Sequence, residues 1–386
     1  MRFLLNEEQI MIQQMAKNFL AKKSPFAQMN ENHFRLSNMC RFNWIEASEN
    51  MGWQATIITE EHDGLALGMV ELALIFEKIG EKMWFSPMFS TVGITTPLCQ
   101  FSNSTELLAK YLPDIAAGNK IGTCPLPWQL NDPAQSYVDL VKVWCSTTDD
   151  GVILQGHYSH VLDAGNADFI VLPVRDQETQ LLRIFIVDLP YSGIKITSQN
   201  MLDKTLDMYK VDVSGVTLNL AQELLFPDTE QAYIATIELA TVTQSAQMLG
   251  GMSALLDMTL DYCQNRRQFG QPISNFQVTK HKAADILLQV ESAKTAVYAA
   301  ACRAQEFIQG DSSLVSLQQT VSVAQAYLSE AFFSVASEAI QMHGAVGITW
   351  EYQVHWYFKR AKSFANMLGD SAFHRERLVQ LTLAQK

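Results

Sequence analysis

The sequence lacks the cysteine patterns of a disulfide-stapled or zinc-binding protein. Its six cysteines include no Cys-x-x-Cys pair and no spacing to a histidine that is typical of zinc ligands. Isolated thiols of this kind are usual in reducing compartments. We therefore predict reduced, mostly buried cysteines in a cytoplasmic protein.

Long apolar runs and an excess of positive charge are also missing. No uncharged apolar stretch reaches the roughly 18 residues that suggest a membrane-spanning helix, and the first residues show neither the apolar run nor the cleavage site of a signal peptide. With 28 Lys and Arg against 40 Asp and Glu, the net charge is −12. This charge argues against a general nucleic-acid or anionic-membrane surface, although a local basic pocket for a phosphorylated ligand remains compatible with it.

The 386 residues divide into three regions by their apolar patterns. Residues 1–120 show helical periodicity, residues 121–228 consist of short β-branched runs between turns, and residues 229–386 return to helical periodicity with three or four long helices. There is no internal repeat and no low-complexity linker. We predict one compact α+β protein whose middle β domain is a barrel or sandwich.

A short turn connects two long helical patterns in the last region. Gly270 and Pro272 end the first helix, and Arg266 lies at its C-terminus, where exposed carbonyl groups favour a cation. On spacing alone this stretch predicts only a helical hairpin.

The residues of this hairpin carry a specific resemblance. Arg266-x-x-Phe-Gly-x-Pro-Ile-x-x-Phe-Gln277 resembles the signature of the C-terminal helices of acyl-CoA dehydrogenases. Gln341-Met-His-Gly-Ala-Val-Gly347 resembles a second family segment, and Gly151-x-x-Leu-x-Gly156 is similar to the strand pair beside the flavin. The resemblance covers nearly the whole chain and implies an N-terminal helical domain, a middle β domain and a C-terminal four-helix bundle.

Family membership would imply FAD as cofactor, an acyl-CoA thioester as substrate and an electron-transfer flavoprotein as electron acceptor. It also implies an oligomer in which one subunit contacts the FAD of its neighbour. The positions that match the family's cofactor-binding residues are Arg266, Gln268, Phe269, Gln277, Gln341, Gly344 and Ala345. Arginine suits a diphosphate because its planar fork donates two hydrogen bonds.

The segments that the family places beside the flavin ring depart from its pattern. Thr123-Cys-Pro-Leu-Pro-Trp-Gln-Leu-Asn131 replaces an acidic, glycine-rich loop, and Ser159-His-Val-Leu162 replaces a strand end that carries a hydroxyl for flavin N5. The resemblance therefore puts flavin-ring binding by this chain in doubt.

The catalytic base is also absent from its family positions. The common glutamate would lie 27 residues after Gln341, which is Leu368, and an alternative position 29 residues before Phe269 is Ala240. Glu238 and Asp370 lie nearby and are weak candidates. Two residues along a helix rotate a side chain by roughly 200°, so Glu238 should face away from the site. For both carboxylates, an exposed helix or turn position is the simpler interpretation.

Other constellations are weaker. His157 and His160 have no cysteine or carboxylate cluster at ligand spacing, so we predict no metal. Gly250-Gly251 lies inside a helical pattern and follows no strand, and neither a Gly-x-Ser-x-Gly nor a phosphate-loop sequence occurs.

Three hypotheses remain. The leading one is an acyl-CoA dehydrogenase subunit that completes the FAD site of a second, different subunit without supplying the base. The second is a self-sufficient homotetrameric dehydrogenase with a displaced base. The third is a non-enzymatic scaffold that binds acyl-CoA or a protein.

Overall fold

The computed structural model describes residues 5–21, 23, 36–127, 130, 132, 135–149 and 151–384. Helices make up the first part of the chain. Asn6 caps the first helix, since its side-chain oxygen accepts a hydrogen bond from the backbone N–H of Gln9 at 2.8 Å. The helices are α1 (Glu7–Ala21), α2 (Leu36–Met51), α3 (Met69–Lys82), α4 (Thr96–Gln100) and α5 (Thr105–Ala116), with a π-helical segment at Phe89–Thr95 that leads into α4.

Strands form the middle of the chain. They are β1 (Gly122–Thr123), β2 (Trp144–Thr148), β3 (Gly151–Gln155), β4 (His157–Leu162), β5 (Phe169–Asp176), β6 (Leu182–Asp188), β7 (Lys195–Ser198), β8 (Met208–Asp212), β9 (Thr217–Leu218) and β10 (Glu223–Leu224). One sheet has the order β10-β6-β5-β2-β3-β9, with β1 parallel to β5, and a second sheet has the order β4-β8-β7. Alternate apolar side chains of both sheets form a separate core around Val152, Ile170 and Val211.

The β-branched runs Val141–Trp144 and Val211–Leu218 each predict one strand from the sequence, and both predictions need correction. The run Val141–Trp144 contributes only its last residue to β2, because a 3₁₀ turn at Tyr137–Leu140 immediately precedes it. The run from Val211 to Leu218 is two strands rather than one, since Gly215 adopts φ 79° in a turn between them.

Helices return after the sheets. They are α6 (Thr229–Asn265), α7 (Gln277–Ile308), α8 (Leu314–His343), α9 (Val354–Asn366) and α10 (Ser371–Leu383), with a two-stranded ribbon β11 (Arg267–Gln268) and β12 (Gln271–Pro272) between α6 and α7. The larger core runs from the first helices into this bundle, where Leu255, Val297 and Phe332 are buried. The predicted α+β fold class is confirmed.

Two further predictions concern the state of the cysteines and the presence of a membrane-spanning helix. Cys40, Cys99, Cys124, Cys145 and Cys263 are buried, Cys302 is partly exposed, and all six are free thiols, as predicted. Among the described residues, no helix is both long enough and apolar enough to cross a membrane.

Candidate functional site

The α6–α7 turn presents the first group of predicted cofactor residues to solvent. Arg266 caps α6, and its carbonyl oxygen accepts the backbone N–H of Ile273 at 2.9 Å. The side chains of Arg266, Gln268 and Gln277 are exposed, and the side chain of Phe269 is 91% exposed. Among the described residues, no carboxylate pairs with Arg266. Its guanidinium is therefore available to a group from outside the chain.

The second group lies at the end of α8. Gln341 and Ala345 are exposed, and Gly344 adopts φ 67° with open space around the position of a Cβ. The positive φ therefore explains why glycine occupies position 344, because any residue with a side chain is strained in this conformation.

An aromatic contact holds the two groups next to each other. The ring of His343 stacks on that of Tyr262 with centroids 4.4 Å apart, and the hydroxyl of Tyr262 donates to the carbonyl of His343 at 3.2 Å. Tyr262 is in the last turn of α6 and His343 is the last residue of α8. This contact fixes the position of Gln341 relative to Arg266, although nothing in the two motifs predicted it.

Neither family position for the base carries an acid. Ala240 is fully buried on α6, and Leu368, with φ 60°, is 1% exposed in the turn before α10. Asp370 is exposed and caps α10, accepting the backbone N–H of Phe373 at 2.8 Å. Asp370 is therefore an exposed carboxylate at a turn, which was the simpler interpretation of its sequence position.

Glu238 is placed differently from the sequence interpretation. It is fully buried rather than exposed, and one carboxylate oxygen lies 2.5 Å from Nη2 of Arg377 on α10. The guanidinium of Arg377 also lies over the ring of Tyr137, 4.8 Å from its centroid. A buried carboxylate needs a cationic partner, and for Glu238 that partner comes from a helix 139 residues further along the chain. Glu238 therefore forms a buried ion pair with Arg377.

The space beside Leu368 is small and apolar. A cavity of about 20 Å³ lies where the loop after β1, the end of β4 and the turn before α10 meet. Its lining residues are Phe89, Ile94, Cys124, Leu126, Pro127, His160, Leu162, Met367 and Leu368. Such a volume accommodates about one water molecule. This space by itself is much smaller than the three-ring head group of a flavin.

A larger cavity of about 610 Å³ shares Leu126, Pro127 and His160 with the small one. His157 and Lys142 also line it, and burial lowers the pKa of the His160 imidazole. Trp128, Gln129 and Asn131 of the adjacent loop lie outside the described residues. This cavity has the size of a small-molecule site but lies on the β-domain side of the loop.

His374 fixes the turn that contains Leu368. Its Nε2 lies 2.8 Å from the carbonyl oxygen of Leu368, so this nitrogen carries the proton, and its Nδ1 lies 3.3 Å from the hydroxyl of Ser322. Burial lowers the pKa of His374 to about 3. The imidazole is therefore neutral at pH 7.

We expect His374 to make the protein sensitive to acid. Because its folded pKa is below the usual 6.5, its contribution to stability is complete above pH 6.5 and is lost as the pH falls toward 3. About 2 kcal/mol should be lost between pH 6.5 and pH 5. In urea denaturation at pH 7 and pH 5, the loss should be about 2 kcal/mol smaller in His374→Gln than in the native protein and in His281→Gln, an exposed histidine of α7. The loss that stays in His374→Gln includes the contribution of His355, whose pKa burial lowers to about 4. Equal losses in all three proteins would contradict the assignment.

Comparisons with known proteins agree with this architecture. The model of the acyl-CoA dehydrogenase N-terminal domain matches residues 6–119, and that of the C-terminal domain matches residues 232–382. The acyl-CoA dehydrogenase IpdE2 of Mycolicibacterium smegmatis is 26% identical over 326 residues, which cover 84% of this chain and 83% of that protein.

Solved structures show the same fold. Butyryl-CoA dehydrogenase from Megasphaera elsdenii superposes with a TM-score of 0.83 at 20% identity, over 99% of this chain and 100% of the other. A chain of the ChsE4–ChsE5 complex from Mycobacterium tuberculosis gives a TM-score of 0.84 at 22% identity, over the full length of both. The helical, β and helical regions and the matched domain models together show that this chain belongs to the acyl-CoA dehydrogenase family.

Proposed function

We propose that this chain is a subunit of an acyl-CoA dehydrogenase assembly and that it completes the FAD site of a neighbouring subunit without supplying the catalytic base. Members of the family are oxidoreductases that act on the CH–CH group of acyl-CoA thioesters. The proposal is supported by a contrast within the chain. Polar side chains at the family's cofactor-binding positions, Arg266 and Gln341, are exposed, while leucine and alanine occupy the family's positions for the base.

The outward groups have the chemistry of a nucleotide contact. The Arg266 guanidinium can donate two parallel hydrogen bonds to a diphosphate, and the Gln268 and Gln341 amides can both donate and accept. Family membership brings FAD as the nucleotide. In a neighbouring subunit, FAD would accept the substrate's hydride. This chain's contribution would be to bind and orient the cofactor's diphosphate and adenosine end.

Apolar side chains around these groups support contact with a second subunit. Phe269 and Val278 are 91% and 62% exposed near the α6–α7 turn, and Ile348 and Trp350 are 66% and 45% exposed after α8. Large exposed apolar groups around polar ones mark a surface that a partner covers. ChsE4 and ChsE5 of Mycobacterium tuberculosis form a complex, and the similar fold supports a mixed assembly here.

The small cavity argues against a self-sufficient homotetramer. A base displaced to Glu238 would have to break a buried ion pair, and Asp370 is exposed beyond the cavity. Leu126, Leu162 and Leu368 line the small cavity, and the described residues of its lining include no carboxylate that could act as a base. The acyl-CoA and the electron-transfer flavoprotein would therefore be used by the partner's site.

Flavin counting tests the proposal directly. The chain should be co-expressed with each acyl-CoA dehydrogenase homologue from its own genome, and FAD per assembly should be measured by absorbance after denaturation. We expect one FAD for two chains and dehydrogenation only by the mixed assembly. Full flavin occupancy with activity of the isolated chain would favour the homotetramer. A mixed assembly without flavin would favour a non-enzymatic scaffold.

A further inference from the structure

Three potential metal ligands from separate parts of the chain meet where α2 packs against the β domain. They are Cys40 on α2, Asp163 in the turn after β4 and Asp207 just before β8, and one ligand atom from each lies within 4.8 Å of the other two. Cys40 is 3% exposed and Asp163 is 7% exposed. None of these residues belongs to the proposed FAD contact.

Hydrogen bonds from surrounding residues orient both carboxylates and leave part of each free. The hydroxyl of Ser90 donates to Oδ2 of Asp163 at 2.6 Å. Oδ2 of Asp207 accepts from the Tyr209 hydroxyl at 3.0 Å and from the Asn166 amide at 2.9 Å. The Oδ1 atoms receive no hydrogen bond from the described residues. Outer contacts of this kind usually orient the ligands of metal sites.

The Cys40 thiol is an independent sign of a missing partner. It is buried against both carboxylates. Burial is the main cause that raises the pKa of the thiol, and the charges of Asp163 and Asp207 raise it further. Within the described part of the chain it makes no hydrogen bond. A thiol held in this way can provide a metal with a sulfur ligand, which carboxylates alone would not offer.

The charges of the cluster are not balanced by an ion pair within the described residues. The guanidinium of Arg360, whose charge acts on Asp163, forms its ion pair with Asp203 at 2.7 Å and also binds the carbonyl of Thr205 at 2.7 Å. Burial raises the pKa of Asp163 to about 7 and also raises that of Asp207. A buried carboxyl group, that of Asp163, and a partly buried one, that of Asp207, at this distance favour a proton or a cation between them.

We propose that Cys40, Asp163 and Asp207 bind one divalent transition cation of the zinc type. The ligands would be one thiolate and two carboxylate oxygens, with a fourth position for water in the adjoining cavity of about 40 Å³. Ligand atoms around tetrahedral zinc lie roughly 3.4 Å apart, so modest side-chain rotations close the site. Binding releases the thiol proton and any proton of the carboxyl pair to solvent. The ion would join α2 to the turns beside β4 and β8.

Cobalt substitution tests the site with the purified full-length chain, alone and in any assembly that co-purifies. Metal should be removed with a chelator and Co²⁺ added while the near-ultraviolet spectrum is recorded. We expect one Co²⁺ per chain with a thiolate-to-cobalt charge-transfer band. Competition by Zn²⁺ should abolish the band. In Cys40→Ser the band should be absent, whereas Cys263→Ser, which removes another buried thiol, should retain it.

A second variant, Asp207→Asn, distinguishes a bound metal ion from a proton shared by the two carboxyl groups. In Asp207→Asn the metal-free chain should unfold at the same or a higher temperature, because a partly buried charge beside Asp163 is gone. Added Zn²⁺ should no longer raise the unfolding temperature of this variant. Binding of Co²⁺ without a thiolate band, or an equal response to Zn²⁺ in Asp207→Asn, would overturn the proposal. So would a chain that binds no metal and shows an infrared band of a protonated carboxyl group that disappears in Asp207→Asn.

Discussion

Replacement of Arg377 by methionine is expected to destabilise the protein by about 3–5 kcal/mol. The substitution leaves the fully buried Glu238 carboxylate without its cation, and one orphaned buried charge costs more than the intact pair contributes. Methionine retains much of the packing of the arginine stem and of the contact with Tyr137. The free energy of unfolding in urea measures the loss, or the unfolding rate does where unfolding is irreversible.

Two controls distinguish the buried charge from packing. Arg375, on the same helix, pairs with Glu330 at 2.5 Å, but both side chains are more than half exposed, so Arg375→Met should cost less than about 1 kcal/mol. The double variant Glu238→Met/Arg377→Met removes both charges and should recover most of the stability. A double variant as unstable as Arg377→Met would show that shape, and not charge, determines the cost. Equal effects of the two arginines would contradict the assignment of Arg377.

Replacement of Arg266 by alanine is expected to weaken FAD binding in the mixed assembly roughly 10- to 100-fold. Loss of charge-assisted hydrogen bonds to a diphosphate costs about 1.5–3 kcal/mol, which corresponds to that factor. Because Arg266 is exposed and unpaired within the described chain, the stability of the isolated subunit should hardly change. FAD dissociation can be followed by the fluorescence of the released flavin.

The adjacent arginine is the matched control. Arg267 is also exposed, and its backbone pairs with that of Pro272 in the ribbon. Arg267→Ala therefore removes the same charge one residue away and should leave FAD affinity within about threefold, the level of a non-contacting surface charge. If the two variants weaken binding equally, general electrostatics explain the effect. If neither does, this turn does not contact the cofactor.

Local patterns were sufficient for most of the fold. The α6–α7 hairpin was predicted because Gly270 and Pro272 interrupt a helical period, and the fold class followed from where that period changes to β-branched runs. These signals depend on neighbouring residues only. The strand after Val141 was misplaced for the same reason, since the 3₁₀ turn before it has no strong local signature.

Side-chain identity alone established one further property. Leucine at 368 and alanine at 240 have no titratable group in any conformation, so neither can take a proton from a substrate. No tertiary arrangement changes that conclusion. The exposed positions of Arg266 and Gln341 agree with the motif, while their contact with FAD stays a prediction.

What surrounds a polar side chain was decided only by the tertiary structure. Glu238 belongs to a helical pattern that would place it in solvent, yet Arg377 reaches it from a helix 139 residues away. Cys40, Asp163 and Asp207 likewise come together only because α2 packs on two turns of the β domain. A sequence pattern records chemical type and local period, whereas burial and pairing depend on contacts between distant segments, which fold together to remove apolar surface from water.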